Sequence, residues 1–196
     1  KLWKLIQLTD TSTKILDTAQ ELIQTRGFSA MSFQHIAALV DIKKPSVIHH
    51  FPNKAALGVA VIQRYRDTFA VQLQAIKADP GKTAWDALEF YFLPYLAFAE
   101  TPSKVCLCGA LAGEILVLPE EMQVEVKDFM QSHQGWLEDI FRSGRKRGEF
   151  KFKDTPARLA RTFFSALQGA LLVKRSIGDI SQVKDVQRVI RDLVRP

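Results

Sequence analysis

A twelve-residue stretch, KKPSVIHHFPNK at residues 43–54, concentrates side chains that could bind either a metal ion or a polyanion. It contains two adjacent histidines, His49 and His50, and three lysines. Consecutive side chains on a helix diverge by about 100°, and neither histidine has a Cys, His, Asp or Glu four residues further along. Because a metal site needs ligands that converge on one point, the stretch favours a polyanion, and we expect no metal or other cofactor.

Residues suited to catalysis are not grouped in this sequence. It contains no Gly-rich phosphate loop, HExxH zinc motif or GxSxG nucleophile motif. His35 and His133 lie far apart along the chain, while Glu114, Glu120 and Glu121 are typical of charges at helix starts. We therefore do not expect an enzyme.

The composition favours a protein of the cytoplasm with a polyanionic partner. The chain has 196 residues and a formal net charge of +6. Its longest apolar runs are interrupted by Glu89, Pro94 and Glu114, so no run approaches the roughly 20 residues that span a membrane. The first residues, KLWKLIQLTD, do not resemble a secretory signal. We expect a cytoplasmic location and no contact with membranes.

Apolar residues recur at helical spacing along almost the whole chain, so the predicted fold class is all-α, with nine helices. The first helix, residues 12–26, ends at Gly27, and Ser32 can cap a second helix at residues 33–40. Pro45 can begin a short third helix that Pro52 stops. The remaining helices are predicted at residues 54–78, 83–100, 105–118, 119–147, 157–176 and 181–194.

The first three helices have the arrangement of a helix-turn-helix DNA-binding domain, in which two short helices follow a longer one. A plain packing hairpin has the same spacing. Residues 15–57, however, resemble the N-terminal domain of TetR-family transcriptional regulators along their whole length. The matching motifs are Arg26-Gly27-Phe28, Ile36-Ala37, Pro45-Ser46-Val47 and Phe51-Pro52-Asn53-Lys54.

Three residues depart from the family pattern. Asp41 stands where the family usually has a turn glycine, Lys43 replaces a frequent serine, and Ile48 replaces the usual tyrosine that contacts phosphate. An aspartate can adopt the same turn. The contact of the missing tyrosine would have to come from His49 or His50.

The resemblance implies that the third helix enters the major groove of a double-stranded DNA operator. The lysines would neutralise phosphates, Ser46, His49 and Lys44 would reach base edges, and His50 and Gln34 would contact phosphate. For each lysine the alternative is a solvated side chain. The predicted DNA-binding residues are Ser32, Gln34, Lys43, Lys44, Pro45, Ser46, His49, His50 and Lys54.

The resemblance also implies a domain division and a small-molecule effector. The helix-turn-helix domain would occupy residues 1–54, residues 54–78 would form a linking helix, and residues 79–196 would bind the effector and form a homodimer. Aromatic residues at helical spacing could line an apolar cavity or simply form the core. The predicted effector-binding residues are Phe90, Tyr91, Tyr95, Phe98, Cys106, Met122, Phe129, Trp136, Phe163, Leu167 and Lys174.

Two interpretations are open for Cys106. The segment VCLCGALAGEILVLPEEM resembles the NemR-like branch of the family, some of whose members sense electrophiles through a cysteine. Cys106 would then be a reactive thiol near Lys174, with Cys108 as a substitute. The alternative is a buried, unreactive side chain. A one-residue spacer suits neither a disulfide nor a zinc site, so reduced thiols are expected.

The last two predicted helices each carry an apolar stripe suited to self-association, although packing within one chain would need the same stripes. A two-fold dimer would present two recognition helices to a pseudo-palindromic operator. The predicted dimerisation residues are Leu159, Phe163, Ala166, Gly169, Ala170, Val173, Val183, Val186, Ile190 and Leu193.

The expected function is that of a ligand-responsive repressor, released from its operator when a small apolar or electrophilic molecule binds. The alternative is a helical, dimeric protein-interaction module with a vestigial DNA-reading lobe.

Overall fold

The computed structural model describes residues 2–196, with side chains from residue 11 onwards. The side chains of the stretch that shows no secretory signal, KLWKLIQLTD, thus lie outside the described part. Within that part the protein is all-α, as predicted, with nine α-helices and one 3₁₀ turn, Ile115–Val117. The helices are α1 (Leu2–Arg26), α2 (Phe33–Val40), α3 (Lys44–His50), α4 (Lys54–Ala78), α5 (Ala84–Glu100), α6 (Leu107–Ala112), α7 (Glu120–Lys146), α8 (Pro156–Ile177) and α9 (Ser181–Val194).

Most helix ends lie within a residue or two of the predicted ones, and side-chain caps form at several of them. The Ser32 hydroxyl accepts a hydrogen bond from the His35 N–H at 3.2 Å, and the Asn53 carboxamide accepts one from the Ala56 N–H at 2.8 Å. Thr83 and Asp86 form a reciprocal capping box at the start of α5. Local side-chain chemistry therefore determines where these helices begin.

Two predicted ranges are wrong. α1 begins at Leu2 rather than at Ser12, since a serine or threonine lowers helix stability without ending a helix. The helix predicted at residues 105–118 is interrupted, because α6 ends at Ala112 and is followed by Gly113, a poor helix former.

The contacts divide the chain into two compact units. The first unit takes the chain up to Arg66 together with Leu107–Lys127, and the second consists of Asp67–Cys106 and Asp128–Pro196. Helices α4 and α7 contribute residues to both. The predicted division into a helix-turn-helix domain up to residue 54 and an effector-binding domain from residue 79 stays a prediction.

The core of the first unit holds the helix-turn-helix in place. Ile15 and Ile23 of α1, Ile36 of α2, Val47 of α3 and Leu57 of α4 are completely buried. A helix as short as α3 is not stable alone, so burial of Val47 fixes its position. In the turn between α2 and α3, Asp41 has φ +57°, the left-handed conformation that was expected of it.

The core of the second unit is aromatic. Phe92, Phe129, Phe141 and Phe163 are buried, and the rings of Phe92 and Phe163 meet edge to face at 5.1 Å. Helix α8 packs against both α5 and α9. None of the helices in the described residues is long and apolar enough to cross a membrane.

Candidate DNA-binding surface and effector site

Helix α3 presents most of the predicted DNA-binding residues to solvent. Lys44, Pro45, Ser46 and His49 are exposed, as is Lys43 at the N-cap. By helical spacing Pro45 and His49 lie opposite Val47, while Lys44 and Lys43, three and four residues before it, flank the buried face. The structure therefore brings the exposed donors of residues 43–49 together on one short surface of the first unit.

His50 is less exposed than its neighbour. Its ring lies 5.6 Å from the His49 ring and 6.5 Å from the Phe51 ring, measured between centroids. Burial lowers the pKa of His50, and the nearby His49 lowers it further. Both effects favour the neutral form of His50, whose ring can still form a hydrogen bond.

The two predicted residues at the start of α2 are Gln34 and the N-cap Ser32. Gln34 is exposed. The Ser32 oxygen accepts the N-capping bond from His35, while its hydroxyl hydrogen remains able to donate to a phosphate.

Lys54 is engaged within its own unit. Its ammonium donates to the Ser29 carbonyl at 3.3 Å and lies 4.4 Å from the centroid of the Phe28 ring. Burial lowers the pKa of Lys54, while the Glu114 carboxylate opposes that shift. An ammonium has three donors, so these contacts leave it able to bind a phosphate as well.

Glu114 is a residue of the first unit whose role the sequence did not reveal. Its carboxylate accepts hydrogen bonds from the N–H groups of Phe28, at 2.7 Å, and Ser29, at 2.8 Å, and from the Ser29 hydroxyl. Burial alone would raise the pKa of Glu114, but these bonds hold it below its usual value, with help from Lys54. The interpretation of Glu114 as a helix-start charge is therefore incomplete, because the carboxylate secures the corner between α1 and α2.

The corner itself requires glycine at position 27. Gly27 has φ +89°, and a Cβ there would collide with a carboxylate oxygen of Glu114. The predicted left-handed cap at the end of α1 therefore also makes room for the Glu114 side chain. We refer to Gly27, Phe28, Ser29 and Glu114 as the corner clamp.

The second unit groups many of the predicted effector-binding residues. Tyr91, Tyr95, Phe129, Trp136, Phe163 and Leu167 are buried, whereas Phe90 and Phe98 are half-buried. The Tyr91 ring stacks on the Trp136 ring at 5.3 Å. Met122 belongs to the first unit, where it is buried against Gly58.

A chain of polar groups runs through this aromatic cluster. Gln168 donates to the Tyr95 hydroxyl at 3.1 Å, the Tyr95 and Tyr91 hydroxyls are 3.5 Å apart, and Tyr91 bonds to the His133 Nδ1 at 2.9 Å. Burial lowers the pKa of His133 to about 4 and raises the pKa of Tyr91. The His133 imidazole and the Tyr91 phenol are therefore both uncharged at physiological pH. The sequence did not connect His133 or Gln168 with the tyrosines, because only the fold brings these groups together.

Lys174 is one of the few buried charged groups in the described chain. Its ammonium donates to the carbonyl oxygens of Phe98, at 2.9 Å, Pro102, at 3.1 Å, and Thr101. These three bonds use all of its donors and satisfy carbonyls at the end of α5. Burial lowers the pKa of Lys174, and the charge of Arg175 lowers it further. In this position Lys174 acts as a structural cap for α5.

The two cysteines are thiols with almost no access to solvent. Cys106 is 3% exposed and Cys108 is 0% exposed. A reagent would have to enter the interior to reach either sulfur. Within the described residues, no three His, Cys, Asp or Glu side chains are close enough to share a metal ion.

An open groove of about 440 Å³ lies on the surface of the second unit. Only Phe90 among the predicted effector-binding residues lines it, and Arg191 bonds to Glu89 within it, with Nε and Oε1 2.5 Å apart. Its other lining residues are Ile76, Lys82, Asp86, Leu93, Leu96 and Gln187.

The predicted dimerisation residues separate into two groups. Leu159, Phe163, Ala170, Val183 and Ile190 are buried within the chain, Ala166, Gly169 and Val186 are half-buried, and Val173 and Leu193 are exposed. A further exposed apolar set consists of Leu172, Ile177, Ile180 and Val189. Val173 and Ile177 are four residues apart on α8, and Val189 and Leu193 are four apart on α9, but the sequence alone does not indicate which stripe faces the core.

The chain is similar in sequence and in structure to bacterial transcriptional regulators. The family model described as "Bacterial regulatory proteins, tetR family" matches residues 15–61. The chain is 24% identical over 165 residues to the HTH-type transcriptional repressor NemR of Escherichia coli K12, covering 83% of each chain. It is 30% identical to a TetR transcriptional regulator from Legionella pneumophila, with a TM-score of 0.84 and coverage of 93% of this chain and 96% of that one. A TetR-family regulator from Agrobacterium tumefaciens has 26% identity, a TM-score of 0.90 and coverage of 96% and 100%. These relatives are all transcriptional regulators.

Proposed function

Because the chain belongs to the TetR family of transcriptional regulators, we propose that it is a repressor that binds a pseudo-palindromic operator as a homodimer and leaves it when a small molecule binds. The observation that carries this proposal is the surface of α3. One fully buried residue, Val47, holds the helix, while Lys44, Pro45, Ser46 and His49 all face solvent. This pattern is typical of a helix that enters the major groove.

The predicted DNA contacts fall into two kinds. Lys43, Lys44 and Lys54 would bind phosphates, which provides affinity that does not depend on sequence. Ser46 and His49 would donate to or accept from base edges, which provides specificity. Lys54 would bind phosphate while it remains in contact with Ser29, so its orientation is fixed before DNA arrives.

The homodimer would form through the exposed apolar faces of α8 and α9. Six large residues support this interface, because their burial in a dimer would remove apolar surface from water: Leu172, Val173, Ile177, Ile180, Val189 and Leu193. The buried residues of the predicted set, such as Phe163, would instead support the two helices from within.

The effector would be a small apolar or electrophilic molecule that enters the aromatic cluster of the second unit. The uncharged chain of Tyr95, Tyr91 and His133 favours a neutral molecule with one group able to form a hydrogen bond. An electrophile would have to reach Cys106 inside the protein, since the thiol is buried.

DNA binding can be tested by fluorescence anisotropy with two duplexes, one from the region upstream of the gene and one of scrambled sequence. We expect the upstream duplex to bind at least about 1,000-fold more tightly, and both affinities to fall steeply with salt. Lys54→Ala should weaken both, whereas Lys146→Ala, which removes an exposed lysine at the end of α7, should change neither. Equal binding of the two duplexes at physiological salt would contradict specific repression and favour the alternative of a protein-interaction module.

The dimer can be tested by sedimentation at micromolar concentration. Leu193→Lys should shift the protein towards monomer, because a charge would be placed in the apolar interface. Val71→Lys changes a valine of α4 that is 72% accessible, more than the 53% of Leu193, and should leave the dimer intact. A wild-type monomer would exclude the symmetric model.

A further inference from the structure

The side chain of Ile48 is an unusual occupant of α3. It is 43% exposed, although it is large and apolar, and it lies between the buried Val47 and the exposed His49. Single exposed apolar residues are common on protein surfaces and need no explanation. Ile48 differs because it lies on the helix whose outer surface is proposed to face DNA bases, where an aliphatic group has few favourable partners.

The outer surface of α3 is divided into two strips. Residues three and four positions apart share a helix face, so Ile48 lies with Pro45 and with the aliphatic stem of Lys44. Ser46 and His49 form the second strip by the same spacing. The recognition surface therefore has an apolar edge beside a polar one.

Only one chemical group on the major-groove edges of the bases suits the apolar edge. Those edges carry hydrogen-bond donors and acceptors, and the apolar group among them is the C5 methyl group of thymine. Cytosine has such a methyl group only when it is methylated at C5. The isoleucine side chain cannot donate or accept a hydrogen bond. If it covered a phosphate or a polar base edge, the covered DNA group would lose its hydrogen-bond partner. Contact with a methyl group buries apolar surface on both sides.

We propose that Ile48, supported by Pro45, recognises the C5 methyl group of a pyrimidine, normally thymine, in each half of the operator. This inference rests on the proposed function and adds a determinant of specificity to it. Burial of one methyl group corresponds to about a fourfold gain in affinity, and two symmetric half-sites would give about fifteenfold.

The test removes the methyl group from DNA without altering base pairing. A specific duplex is first selected with the full-length protein from a random pool at physiological salt. Each thymine is then replaced by deoxyuridine, in one half-site or in both. We expect one thymine per half-site at which the loss in affinity is about fourfold for one substitution and about fifteenfold for two.

Protein variants assign the effect to Ile48. Ile48→Ala should bind the thymine and uracil duplexes equally, while Ile48→Val, which keeps a branched apolar side chain, should retain most of the discrimination. Leu39→Ala removes an apolar side chain that is 65% exposed on α2 and should leave the discrimination unchanged. Circular dichroism verifies that each variant is folded.

Duplexes that contain 5-methylcytosine test whether the methyl group that Ile48 contacts belongs to thymine or to methylated cytosine. Replacing each cytosine of the selected duplex by 5-methylcytosine should tighten binding at a position only if Ile48 faces that base, and the gain should vanish in Ile48→Ala. If no thymine or methylcytosine changes the affinity, or if discrimination persists in Ile48→Ala, the inference is wrong while repression by DNA binding stands. Failure to select any duplex over random DNA would instead refute the proposed function.

Discussion

Replacing His133 by glutamine should remove a large part of the protein's loss of stability in mild acid. His133 is buried among aromatic rings, with the Phe129 ring 4.0 Å away, and its Nδ1 bonds to the Tyr91 hydroxyl. Protonation would place a positive charge in this apolar cluster. The folded protein therefore keeps His133 neutral at a pH where the unfolded chain already binds a proton.

The size of the effect follows from the two pKa values. Burial lowers the pKa of His133 from 6.5 to about 4. The unfolded state binds more protons between these values, so the free energy of unfolding increases with pH across this window and is constant above it. At about 1.4 kcal/mol per pKa unit, lowering the pH from about 7.5 to about 4.5 should remove roughly 2.5 kcal/mol through this residue alone.

The assay is urea denaturation at these two pH values and at one fixed protein concentration. For each protein we compare the unfolding free energies at the two pH values. A cost of substitution that is the same at both pH values cancels in this difference. Glutamine at position 133 can still accept a hydrogen bond from Tyr91, but it does not titrate. We expect the acid-induced loss to be roughly 2.5 kcal/mol smaller in His133→Gln than in the wild type.

His35→Gln provides the matched control, because His35 is exposed on α2. This variant should lose as much stability in acid as the wild type. Equal acid-induced losses in His133→Gln and the wild type would refute the idea that the aromatic cluster keeps His133 neutral.

Three further predictions concern the supports of the two units. Glu114→Ala should lower the unfolding free energy by about 2 kcal/mol in urea denaturation, because the corner N–H groups lose a charged acceptor, and Glu114→Gln should lose less; an unchanged alanine variant would contradict the corner clamp. Lys174→Met should cost about 3 kcal/mol by the same measurement, since three carbonyls at the end of α5 lose their donor; a loss below about 1 kcal/mol would show that water replaces the ammonium. Asp41→Val should destabilise by about 1 to 2 kcal/mol and Asp41→Gly should not, because valine disfavours a positive φ; equal stabilities would contradict a requirement for the left-handed conformation at position 41.

The parts of the fold that the sequence predicts are those determined by neighbours along the chain. Ser32, Asn53 and Thr83 cap helices whose starts were predicted to within a residue or two, because each cap acts on an N–H group three residues away. The turn at Asp41 was also expected, since the conformational range of an aspartate is a property of that residue. The TetR resemblance of residues 15–57 likewise rests on closely spaced motifs.

Interactions between distant segments could not be predicted from the sequence. Glu114 bonds to Phe28 across 86 positions of sequence, and His133 bonds to Tyr91 across 42. No periodic pattern specifies such pairs. The apolar stripes of α8 and α9 show a related difficulty, because both the buried stripe and the exposed stripe have helical spacing, and only packing distinguishes them.

The corner clamp also has a consequence for the order in which the protein can fold during synthesis. The first unit is assembled from two stretches of chain, the second of which, Leu107–Lys127, is synthesised after the whole of Asp67–Cys106. While the nascent chain ends at Arg66, the N–H groups of Phe28 and Ser29 cannot donate to Glu114, and Gly58 cannot pack against Met122. Closing such a long loop costs conformational entropy that must be offset by the contacts formed afterwards. We therefore expect the first unit to reach its full stability only after residue 127 has been synthesised, so a fragment that stops at Arg66 should be less stable than the same residues in the complete chain.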